Sequence, residues 1–163
     1  MAEVGGLMAP QEFIAAIGVS AQASMRLTKI PASFTIAQSA LESSWGGSQL
    51  STLGCNLFGV KADSSWKGAT LNLPTKEFLS GKWVIVPATW RKYANWLDCL
   101  NDHGAFITGN KRYQPAFAHT GDPEAFAKAI AVAGYATDPQ YSGKIISVIR
   151  THNLTSFDRG AHD

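Results

Sequence analysis

The segment Ala37-Gln38-Ser39-Ala40-Leu41-Glu42-Ser43-Ser44-Trp45-Gly46-Gly47 constrains this chain more than any other. Phe34, Ala37, Leu41 and Trp45 recur at helical spacing and predict the buried stripe of a helix. Gly46-Gly47 then stops it, because glycine readily takes the left-handed conformation that closes a helix. Gln38 and Glu42 lie one turn apart beside the stripe. A carboxylate in a last turn meets the negative end of the helix dipole, and the apolar Leu41 and Trp45 deny it hydration. Both effects raise its pKa. A carboxyl that stays protonated near neutral pH can serve as a general acid, as glycoside cleavage requires. The plainer reading of Glu42 is a solvated surface residue, and this segment alone does not choose between the two.

A buried helix needs a core around it. With 163 residues, 45% hydrophobic and 16% charged, the chain fits one globular domain. A net charge of +2 is too small to argue for nucleic acid as a partner. No apolar run reaches the roughly 20 residues of a membrane span, so no membrane insertion is expected. Met1 to Pro10 lacks the basic start and apolar core of a secretory signal, which implies synthesis in the cytoplasm. Cys55 and Cys99 are expected to be free thiols. His103, His119, His152 and His162 are scattered without metal-ligand spacing and read as ordinary core or surface residues. Neither a metal nor a cofactor is expected.

Residues 1–9 read as a flexible lead. A first helix runs from Pro10 to about Leu27 on Phe13, Ile14, Ile17 and Ala21, with Gly18 as a weak point. Pro31 starts the helix that carries Glu42, with Ser33 as its cap. Leu50 to Ala62 reads as a loop anchored by Leu57 and Phe58. Thr70–Phe78 and Trp83–Tyr93 predict a β-hairpin around Leu79-Ser80-Gly81-Lys82. Pro74 and Pro87 demote both strands towards edge or bulged strands. Alternation puts Glu77 on the face of Thr75, opposite Lys76 and Phe78. There it either protects an edge or supplies a second acid to a cleft. Helices follow from Asn95 to Gly109, Tyr113 to Phe117, Pro123 to Gly134 with Asp122 as cap, and Tyr141 to Thr151 with Ile145, Ile146, Val148 and Ile149 buried. The sum is a mainly helical α+β domain with a small hairpin lobe flanking a cleft, the default site.

Five segments in order carry a resemblance. Ala37 to Gly46, Asn56-Leu57-Phe58-Gly59-Val60-Lys61, Thr75-Lys76-Glu77-Phe78, Arg91-Lys92-Tyr93 and Ala133-Gly134-Tyr135-Ala136-Thr137-Asp138-Pro139 together resemble the glucosaminidase family of peptidoglycan hydrolases, family 73 of the glycoside hydrolases. The likeness implies a lysozyme-like catalytic domain over 10–157, with a β lobe at about 66–93 and a tail at 158–163. It implies hydrolysis of the β-1,4 bond after N-acetylglucosamine, with peptidoglycan glycan strands as partner and the protein a monomer. Glu42 matches the family's general acid, Glu77 its proposed second carboxylate, and Tyr135 an aromatic residue of the catalytic centre. Gln38, Asn56, Phe58, Lys61, Trp66 and Asp138 are the expected substrate-binding residues, Trp66 as an exposed platform for a sugar. Cys55 departs from the pattern, since Asn commonly stands there. A short catalytic domain of this kind resembles a phage or prophage endolysin released by a holin, or an effector delivered by a secretion system. A muramidase, a lytic transglycosylase and a non-catalytic wall-binding protein are the competing readings.

Two routes follow for the far face of the sugar. Glu77 activates water and the reaction inverts, which needs carboxyls roughly 6.5–9.5 Å apart. In the other route the substrate's own 2-acetamido group attacks and the reaction retains. The second is preferred, because the proline-broken hairpin is a poor platform for a base.

Overall fold

The computed structural model describes residues 8–159. The lead up to residue 7 and the tail from 160, with His162, lie outside the described residues.

Pro10 opens α1 (Pro10–Thr28) at a first-turn position, where its missing N–H costs nothing. Gly18 is a site of close approach, since a Cβ there would run into the ring of Phe157. The next helix, α2 (Ala32–Ser43), is buried on every side from Ala32 to Ala40. The sequence suggested one buried stripe. Burial runs all round because the intervening residues are small, and their hydroxyls are satisfied close at hand. Ser39 Oγ donates to the carbonyl of Ile36, and Ser43 Oγ to that of Ser39. Ser33 is not the cap. Pro31 holds that position, and Ser33 lies inside the helix. Its N–H and Oγ donate to the Asp158 carboxylate at 2.8 and 2.6 Å. The positive end of α2 is therefore closed by a carboxylate from the far end of the chain.

The end of α2 also differs from expectation. The left-handed turn begins at Ser44 (φ 52°) and Trp45 (φ 57°) before it reaches Gly46 (φ 80°). Ser43 Oγ supports it by accepting from the N–H of Gly46 at 2.8 Å. The segment read as a loop from Leu50 contains a short helix, α3 (Gln49–Gly54), capped by Ser48 Oγ accepting from Ser51 N–H. Six residues are too few to show a period.

The hairpin forms as two ladders rather than one. In the outer ladder β2 (Thr75–Leu79) pairs antiparallel with β3 (Lys82–Val86). In the inner one β1 (Thr70–Asn72) pairs with β4 (Thr89–Arg91). The break falls at Pro74 and Pro87, which have no N–H to give. Ser80 and Gly81, both at positive φ, make the two-residue turn whose twist suits a hairpin.

The remaining helices are α4 (Trp96–Thr108), a 3-10 helix (Lys111–His119), α5 (Pro123–Val132), α6 (Tyr141–Thr151) and α7 (Ser156–Arg159). Asn95 and Asp122 cap α4 and α5 through their side chains. Of the four α6 residues expected in the core, Ile145 and Ile149 are fully buried, while Ile146 and Val148 are half-buried. With α7, regular structure extends into the segment read as a tail. Around α2 pack α1, α5, α6 and α7, and one core of Phe13, Ile17, Phe34, Leu100, Phe126 and Ile145 fills the space between them. Cys55 and Cys99 are free thiols. Burial pushes the Cys99 thiol up to about 12, so it is inert.

Candidate active site

A cleft of about 570 Å³ lies between the helices and the base of the hairpin. Glu42 lines it from the end of α2, Phe58 and Val60 from the loop after α3, and Arg91 from β4. Asp102, His103 and Phe106 enter from α4, Tyr113 from the 3-10 helix, and Tyr135 to Thr137 from the turn after α5. Five elements far apart in sequence thus converge on one carboxylate.

Glu42 is reached by solvent at the cleft, yet protein on most sides strips part of its hydration. That loss raises its pKa, and a hydrogen bond from Tyr141 partly opposes the rise. The wall of the cleft is not lined by Leu41 or Trp45 among the described residues. Trp45 turns the other way, edge-on to Phe13 and to His152. Phe58, Tyr113 and Tyr135 share the cleft wall with Glu42 instead.

Behind Glu42 runs a chain of polar contacts. Tyr141 Oη donates to Glu42 Oε1 at 3.0 Å. Gln38 Nε2 donates to Tyr141 Oη at 2.9 Å, and Gln38 Oε1 faces His103 Nε2 at 2.9 Å. Tyr135 Oη stands 3.4 Å from the same ring nitrogen. Phe58 stacks flat on the His103 ring at 3.7 Å between centroids. Burial pushes the His103 imidazole down to about 3, against the opposing charge of Asp102, so the ring is neutral.

Asp102 is the other carboxylate on the cleft wall, and it is engaged. Arg91 Nη1 binds it at 2.8 Å and the Tyr93 hydroxyl donates to it at 2.5 Å. Arg91 also lies 3.5 Å from Asp63.

The expected site residues divide clearly. Glu42, Phe58 and Tyr135 line the cleft. Gln38 is fully buried behind it. Asn56, also buried, ties its loop to β4 by donating to the carbonyls of Val60 and Arg91. Glu77, Lys61, Trp66 and Asp138 are not among the described residues that line the cleft. Glu77 pairs with Lys61 at 2.8 Å on the exposed hairpin. Trp66 is half-buried rather than an exposed platform. Its ring packs edge-on to Tyr93 and under the Arg91 guanidinium, and its Nε1–H donates to the carbonyl of Ala69. Asp138 accepts from Lys144 at 2.6 Å. Sequence reading passed over His103, Tyr141 and Asp102. A lone histidine in a helix carries no pattern. Tyr141 did carry one, since it stands two residues after the Tyr135-to-Pro139 segment.

Among the described residues no group of three His, Cys, Asp or Glu could hold a metal ion, and no helix is long and apolar enough to cross a membrane.

The family model Glucosaminidase, described as mannosyl-glycoprotein endo-beta-N-acetylglucosaminidase, matches residues 18–154. The peptidoglycan hydrolase FlgJ of Pseudomonas aeruginosa is 38% identical over 143 residues, covering 85% of this chain and 36% of that protein. The exo-glucosaminidase LytG of Bacillus subtilis is 35% identical over 153 residues, covering 91% and 53%. The chain thus spans about a third to a half of the length of these curated relatives. Among solved structures, the catalytic domain of the autolysin Auto from Listeria monocytogenes superimposes with a TM-score of 0.82 at 27% identity, over 93% of this chain and 91% of that one.

Proposed function

The chain belongs to the glucosaminidase family, and from that premise we propose that it hydrolyses bacterial peptidoglycan at the β-1,4 bond after N-acetylglucosamine, with Glu42 as general acid. One observation carries the reading. Of the two carboxylates that line the cleft among the described residues, Asp102 is held by Arg91 and Tyr93, whereas Glu42 is open to the cleft with its pKa raised. A protonated Glu42 gives its proton to the leaving glycosidic oxygen as the bond to the anomeric carbon breaks. The apolar faces of Phe58, Phe106, Tyr113 and Tyr135 suit sugar rings, which present C–H groups to such walls.

Retention assisted by the substrate is favoured for the other face, because Glu77 is engaged by Lys61 and does not line the cleft. The 2-acetamido oxygen attacks the anomeric carbon and forms a cyclic oxazolinium intermediate. Water then opens the ring, giving a proton back to Glu42. An attacking group tethered beside the reacting carbon has a large effective molarity. To Tyr135, which lines the cleft, the proposal gives the role of holding the acetamido group through its hydroxyl. Both relatives named above carry wall or glucosaminidase chemistry in their names, so the proposal concerns the bond cleaved and not an endolysin's route of release.

Digestion of purified peptidoglycan tests it. Reducing-end N-acetylglucosamine is expected. Reducing-end N-acetylmuramic acid or a 1,6-anhydro product would overturn the choice of bond. Glu42→Gln is expected to leave less than about a tenth of the activity, since general acid catalysis typically contributes about a hundredfold or more.

A further inference from the structure

The direction of every hydrogen bond behind Glu42 follows from what each atom can do. A carbonyl oxygen only accepts, so Gln38 Oε1 at 2.9 Å requires the proton of His103 to sit on Nε2. An amide nitrogen only donates, so the Tyr141 oxygen accepts from Gln38, and its single hydrogen is directed to Glu42 Oε1 at 3.0 Å. With the Gln38 amide turned over, the sequence reverses. His103 Nε2 would accept, Tyr141 would give its hydrogen to Gln38, and Glu42 would lose its donor. Something must therefore hold one of two nearly isosteric states. The His103 ring is held within reach of that amide: it is only 6% exposed, Phe58 stacks on it within 12° of parallel, and Tyr135 meets it edge-on at 5.9 Å, so its Nε2 stays against Gln38 and the hydrogen it carries selects the state.

Resting on the reading of Glu42 as the acid, we propose that His103 is a positioning residue. Its Nε2–H locks the Gln38 amide, so that Tyr141 donates to Glu42 Oε1 and the transferable proton is held on Oε2 towards the substrate. His103 moves no proton itself. A second consequence concerns Tyr135, whose oxygen lies 3.4 Å from the same Nε2. A ring nitrogen that carries hydrogen does not attract the Tyr135 hydrogen, which is left for the substrate.

The titratable and charged groups facing this network, among the described residues, are Glu42, Asp102 with its partner Arg91, Cys99, Tyr113, Tyr135 and Tyr141. The test is read without turnover, so it is independent of whether Glu42 proves essential. In the wild-type protein, nitrogen NMR of labelled histidine is expected to find His103 neutral with hydrogen on Nε2, and hydrogen on Nδ1 would overturn the proposal. Carboxyl NMR then follows Glu42 through a pH titration. Tyr141→Phe removes a donor to the ionised carboxylate and is expected to raise the Glu42 midpoint by about one pH unit. His103→Phe is expected to shift it in the same direction, the double variant no further than Tyr141→Phe, and His103→Gln, which can present an N–H at the same reach, to restore it. A His103→Phe protein that melts earlier but titrates Glu42 as wild type does would show packing alone and refute the assignment. Should His103→Phe not fold, the wild-type tautomer and His103→Gln still decide. If Glu42→Gln is inactive while these shifts fail, the positioning role falls and the acid stands. If Glu42→Gln is active, the acid falls first.

Discussion

Replacing Glu77 by glutamine separates the two chemistries open to this cleft. Glu77 projects from β2, its side chain 36% accessible, and its contact is an exposed ion pair with Lys61 at 2.8 Å. Such a pair is worth about 0.2–1 kcal/mol. If all of it went into holding the hairpin over the substrate, its loss would slow catalysis by at most about fivefold. A general base contributes about 10²- to 10⁴-fold. The gap between these magnitudes makes the experiment decisive. Initial rates of wall solubilisation by Glu77→Gln are expected within about fivefold of wild type, and proton NMR in the first minutes of digestion is expected to show the β-anomer. A loss beyond about a hundredfold together with an initial α-anomer would establish Glu77 as the base that activates water, and would refute the assisted mechanism.

Glu42→Gln should also change stability with pH. A raised folded-state pKa means that stability from this group is present below its unfolded value and is lost as pH rises through the folded one. Above the unfolded value the raised pKa opposes folding whichever form the folded carboxyl holds, so the glutamine variant should melt higher at pH 7. That gain should vanish towards the unfolded value of about 4.3, as calorimetry across pH would show. Cys55 caps α3 at φ 50°, a conformation that asparagine tolerates better, so Cys55→Asn should raise stability by about 0.5–1 kcal/mol in a urea titration. Asp158→Ala removes both acceptors from the start of α2 and should cost about 1–2 kcal/mol, read as a lowered urea midpoint. Reductant should leave the melting temperature unchanged, since both cysteines are already thiols.

Local rules made much of this protein legible from its residues alone. Pro10, Asn95 and Asp122 start helices because a missing N–H or a short acceptor side chain acts within one turn. The hairpin and its interruption at Pro74 and Pro87 follow from backbone chemistry at those positions. Glu42, Phe58 and Tyr135 were legible as cleft residues because they sit in segments whose order is distinctive. What only the tertiary structure decided depends on contacts between residues distant in the chain. The apolar residues that share the cleft with Glu42 are not Leu41 and Trp45, its sequence neighbours, because Trp45 lies in the left-handed turn that ends the helix and packs on Phe13. Gln38, expected to touch substrate, instead joins Tyr141 and His103, which lie 103 and 65 residues away. Asp158 reaches back 125 residues to close the helix that carries Glu42. Period and capping describe a residue's near neighbours. The protonation of a carboxyl and the orientation of an amide are set by whatever lies within hydrogen-bond reach, and the folding of the whole chain chooses that.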